Sequence, residues 1–129
     1  MSGVLSISVE NSTPTAATTL SDITSAGASN YTFTVTYSDA VAIDPATLAN
    51  GNIVVTGPGG YSAAATLESV DVSSAGSPRT ATYQIVPSDS AWSAADDGQY
   101  TVTLHPNQVF NTAGTAVAGG VLGTFNVNI

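Results

Sequence analysis

Nine acidic side chains stand against one arginine and one histidine in this 129-residue chain, and that imbalance sets the chemistry open to it. Carboxylates, with the many Ser, Thr and Asn side chains, are hard oxygen donors. The favoured small partner is therefore a hard cation, calcium above all, which takes about six to eight oxygen ligands. Two carboxylates could also hydrolyse a glycoside, but only across a cleft that sets them roughly 5 Å or 6.5–9.5 Å apart. Beyond Arg79 there is no basic residue to hold such a substrate, so the chain reads as a non-enzyme. His105 precedes Pro106 at the end of an alternating segment and reads as a surface residue. No G-x-S-x-G motif offers it a serine nucleophile. Cysteine is absent, which excludes zinc–thiolate sites, thiol catalysis and disulfides. Arg79 is expected to pair with a carboxylate on a neighbouring strand. Trp92 could stack on a sugar ring, but no second aromatic lies near it in its loop, and packing against the end of the fold is the stronger expectation.

The same composition limits the partners. Charged residues make up 8% of the chain, against about 25% in a typical domain, and the net charge is −8. Nucleic acid needs clustered Lys and Arg to displace phosphate counterions, and one arginine does not provide that. An anionic membrane surface would repel the chain. No apolar run approaches the roughly 20 residues that span a bilayer, and no basic start leads into an apolar stretch as in a signal peptide. Met1-Ser2-Gly3 reads as a short start placed before an excised segment, with one domain over 4–129. A hydrophobic fraction of 43% gives that domain enough apolar surface for a core without staples.

Two-residue periodicity supplies the elements that must position these groups. Tyr31 to Tyr37 alternates aromatics and valine with threonine. Tyr100 to Leu104 repeats the pattern, as do Leu5-Ile7-Val9 and Phe125-Val127-Ile129. Ile53–Thr56 is a short strand, and Ala81 to Val86 another. Between Tyr61 and Val72 the phase slips, which a β-bulge near Glu68-Ser69 would reconcile. Asp44-Pro45 opens a helical turn with Asp44 as its cap, and Asn50 or Gly51 would close it in a left-handed conformation. No internal repeat is evident. The sum is an all-β domain, a Greek-key sandwich of about seven antiparallel strands, with Glu10 to Thr18 as the kink where the first strand changes sheet.

Asp96-Asp97-Gly98-Gln99-Tyr100 resembles the D-x-G-x-Y signature that opens strand F of immunoglobulin-like domains. The resemblance gives Tyr100 the role of a tyrosine corner, its hydroxyl bonding back to nearby backbone, with Gly98 structural beside it. Antibody-type cysteines are missing, Val102 standing in place of one, and Trp92 lies between strands E and F instead of on strand C. Val9-Glu10-Asn11-Ser12-Thr13-Pro14 is similar to the P-E-N motif of cadherin repeats, and Phe110 to Val117 resembles a segment before the last strand of bacterial immunoglobulin-like modules. With Tyr37 to Val41, the chain resembles Ig-like or cadherin-like modules of large secreted bacterial adhesins and hemolysin-type proteins. That resemblance implies an extracellular or cell-surface spacer or adhesion module, partnered by neighbouring modules of its parent chain and by a protein or glycan ligand. It also implies that Glu10, Asp89, Asp96 and Asp97 converge as calcium ligands at one pole. A lesser cluster would join Asp39 and Asp44 with Asn107 and Asn111. The alternative function is a carbohydrate-binding module, marked by glycan binding lost in Trp92→Ala or Tyr61→Ala.

Overall fold

The computed structural model describes residues 13–129, which form eight strands in two antiparallel four-stranded sheets. The strands are β1 (Thr15–Thr19), β2 (Tyr31–Ser38), β3 (Ile53–Thr56), β4 (Ser62–Ala64), β5 (Thr66–Val70), β6 (Arg79–Ile85), β7 (Gly98–Leu104) and β8 (Gly120–Val127). One sheet has the order β1-β2-β6-β5, the other β4-β3-β7-β8. The all-β sandwich read from the alternation is therefore the fold. Among the described residues no helix is long and apolar enough to cross a membrane. The alternating segment at Leu5, Ile7 and Val9 lies outside the described residues, as does Glu10.

Alternation decides the layering. In β2, Tyr31, Phe33, Val35 and Tyr37 are buried while the threonines between them face out, and β7 does the same with Tyr100, Val102 and Leu104. The two inner faces meet along a row of aromatic rings. Trp92 and Tyr61 lie against Tyr100, Tyr100 stacks on Phe125 at 5.2 Å, Phe125 on Tyr31 at 4.4 Å, and the row continues through Phe33 to Tyr83. At its far end the Tyr37 and Tyr83 hydroxyls meet at 2.7 Å in the core. Asn52 Oδ1 accepts from Tyr83 at 3.4 Å, so Tyr83 donates to Asn52 and Tyr37 donates to Tyr83.

Three boundaries differ from the sequence expectation. The first strand changes sheet after Thr19, later than the Glu10–Thr18 kink: β1 pairs with β2, and Ile23 then bridges Val127 of β8 in parallel. The crossing is fixed by Tyr31, whose hydroxyl donates to the Ser21 carbonyl at 2.7 Å, and by Asp22, whose carboxylate accepts from the Asn126 amide at 2.9 Å. The stretch from Tyr61 to Val72 is two strands in different sheets, β4 beside β3 and β5 beside β6, with buried Ala65 at the crossing. The expected bulge is present as well, a register shift between Leu67 and Ser69. Asp44 caps a short 3-10 turn, Pro45–Thr47, through a bond to the Ala46 amide at 3.1 Å. Gly51 is left-handed (φ +83°), but the turn has already ended at Leu48.

Register also orients the chain. Thr15 lies opposite Ser38 at one pole, while Val127 lies opposite Gly98 at the other. The described chain thus enters and leaves at opposite ends of the sandwich.

Candidate functional site

The pole where the chain leaves gathers most of the residues singled out above. Tyr100 is almost fully buried, and its hydroxyl donates to the Asp96 carbonyl at 2.7 Å. The tyrosine corner expected from D-x-G-x-Y is thus formed by backbone four residues upstream. Gly98 is needed on two counts. Its φ of +141° suits only glycine, and a Cβ there would stand 2.8 Å from the Pro58 ring. Gly57 is required by close approach too, since a side chain at that position would run into the Tyr100 ring.

Asp96 holds the loop that carries the corner. Its carboxylate accepts from the Ser93 amide at 2.9 Å while the Ser93 hydroxyl accepts from the Ala95 amide, a capping box on the 3-10 turn Ala94–Asp96. Its second oxygen has only a long contact, 3.4 Å from the Ser88 hydroxyl. Asp97 is exposed and accepts from the Ile129 amide at 2.9 Å, tying the last residue to this pole. Asp89 is exposed in the same loop. Burial raises the pKa of Tyr100, and the charges of Asp96, Asp97 and Asp89 raise it further, so all three carboxylates act on one hydroxyl. They do not come together as ligands: among the described residues no three His, Cys, Asp or Glu side chains are placed to hold a metal ion.

Trp92 is not a platform for a sugar. It is 1% exposed, its indole N–H donates to the Asn30 carbonyl at 3.1 Å, and it packs edge-on to Tyr100. Tyr61, near it in space, is half-buried, and its hydroxyl donates to the Val86 carbonyl at 2.5 Å. Burial first, then Tyr100 and Asp96, push its ionisation up to about 12. Tyr61 lines an open groove of about 580 Å³ between the β3–β4 turn and the segment leaving β6. Sequence spacing gave no hint of this groove, because its walls come from segments some 25 residues apart in the chain.

The opposite pole holds the lesser cluster. Asn111 is buried, and its amide donates to Asp39 at 2.9 Å while its carbonyl accepts from the Ala113 and Thr115 amides. Asp44 is occupied by its cap and Asn107 is an exposed turn residue at φ +61°. Asn111 is thus a loop organiser. His105 is exposed at the end of β7, as read from the sequence. Arg79 is held by backbone: its guanidinium bonds the carbonyls of Ser74, Ala75 and Pro78. The loop before β6 folds back over the side chain and offers its carbonyls to the guanidinium's donors.

Comparison with known protein families and with curated proteins finds no match for this chain.

Proposed function

We propose that this domain is an immunoglobulin-like spacer or adhesion module of a large secreted or cell-surface bacterial protein, without catalytic activity, and that its immediate partners are neighbouring modules. The observation that carries this is the exit of the chain at the pole opposite its entry, with Ile129 bonded to Asp97 beside the tyrosine corner. Successive domains joined in this way extend end to end. The strand order supports the immunoglobulin-like reading. Taking β1, β2, β3, β5, β6, β7 and β8 as A, B, C, D, E, F and G, the sheets are A-B-E-D and C-F-G, with β4 added beside C.

Calcium, on this reading, acts at the joint between modules, since the described carboxylates of one domain do not converge.

Two copies fused in tandem test the reading. Small-angle scattering should give a maximum dimension close to twice that of one copy, and a compact pair lying side by side would overturn the spacer role. In thermal melts, chelator followed by millimolar calcium should leave the single domain unchanged and raise the transition of the fused pair. Binding to the native state adds RT ln(1 + [L]/Kd).

A further inference from the structure

The groove beside Tyr61 is not needed by a domain that only sets distance. Its lining includes Pro58, Tyr61, Ala63, Val86 and Pro87, together with Asp96. Val86 is 54% exposed, a large apolar side chain left to solvent at its rim. Tyr61 is already fixed: its hydroxyl is bonded to Val86 and its ring rests against Tyr100 at 5.3 Å. A ligand meeting this ring has little ordering cost to meet.

Charge selects the ligand. No basic residue lines the groove. The one arginine, Arg79, starts β6 and is engaged with carbonyls at the opposite pole, where His105 also stands. Asp89, Asp96 and Asp97 all bear on Tyr100, which lines the groove too. An anion is therefore repelled, and a neutral sugar would make no use of the field. One Asp96 oxygen, with only the 3.4 Å contact to Ser88, has lone pairs free for another donor. An aromatic face beside an incompletely engaged carboxylate suits a guanidinium, which is planar, weakly hydrated and stacks on rings while donating at its edge.

We propose that the Tyr61–Asp96 groove receives an arginine side chain of a partner protein, its guanidinium stacked on the Tyr61 ring and directed toward Asp96. Arginine is among the residues that anchor protein interfaces, and this places the adhesive contact at the same pole as the chain exit.

Trp92 makes the test simple. It is the chain's only tryptophan and its ring lies 6.4 Å from that of Tyr61, so its emission reports occupancy. The probes are a glycine-flanked arginine tripeptide, the same peptide with citrulline, and glucose and galactose. The arginine peptide should change Trp92 emission saturably, with a Kd on the order of millimolar. The citrulline peptide should bind at least about fivefold more weakly, and salt at about 0.5 M should weaken the arginine peptide alone. Tyr61→Leu should lose at least about fivefold. Should Tyr61→Leu fail to fold, Asp89→Asn, an exposed change, carries the test with an expected loss of about twofold and a flatter salt dependence. Equal binding of arginine and citrulline, no binding of either, or binding of the sugars alone would overturn the proposal. The end-to-end dimension of the fused pair is unaffected by any of these outcomes.

Discussion

Tyr100 is the residue on which the exit pole turns. Its ring touches Tyr61, Trp92 and Phe125, and its hydroxyl satisfies a carbonyl of the loop that Asp96 caps. Tyr100→Phe keeps the ring and orphans that carbonyl, so urea denaturation should show a loss of about 1–2 kcal/mol with an unchanged m-value. Gly98→Ala should cost more than about 1 kcal/mol, because it forces a side chain into a left-handed backbone and against Pro58. A variant as stable as the parent would show that the backbone at this position relaxes. The D-x-G-x-Y motif made this corner legible in advance, since a short-range motif carries its own geometry. Asp96 was less legible. Its type suggested an oxygen ligand, while its cap on Ser93 depends on how the loop folds and is not written in the residue type.

The strands were legible wherever one face is buried and the other wet, as in β2 and β7. They were misread where the chain changes sheet. β4 and β5 share one apolar parity across Ala65, so alternation runs on through a crossing that it cannot mark. The first strand's crossing was misplaced for a related reason: it depends on Tyr31 and Asp22, partners distant in sequence from the residues they hold. Arg79 belongs to this scale as well. With three carbonyls of the 74–78 loop on its guanidinium, it closes the connection between β5 and β6. Arg79→Met should destabilise by about 1–2 kcal/mol and speed amide exchange in that loop. Arg79→Lys should recover little, because an ammonium lacks the planar fork that meets several acceptors at once. Exchange in the loop unchanged from the parent would remove this role from the arginine.

Across the whole molecule, tyrosine burial governs the response to alkali. All five tyrosines are raised above their ordinary value, with burial the largest cause for each; Tyr61 and Tyr83 are pushed up to about 12. Tyr37 is raised further, by burial first and then by Tyr83, to which its hydroxyl donates. The unfolded chain ionises near ~10, so unfolding releases protons above that pH. Stability contributed by the neutral phenols is whole below about pH 10 and is lost as pH climbs through 12. Phenolate absorbance should therefore rise in one step together with loss of circular dichroism, with no early-titrating tyrosine. A separate, fully reversible fraction ionising near 10 in the folded state would contradict this. The placement of the two ends has a last consequence. Pulled from Thr13 and Ile129, β1 slides along β2, and Ile23 slides along Val127, whose backbone bonds (Ile23 amide to Asn126 carbonyl, Asn128 amide to Ile23 carbonyl) lie across the load. Those bonds must break together in shear instead of unzipping one by one. In single-molecule stretching, Ile23→Pro, which deletes one of them, should lower the rupture force well beyond its effect on chemical denaturation. Under tension along the chain, the domain would be held by these few contacts at the sheet crossing.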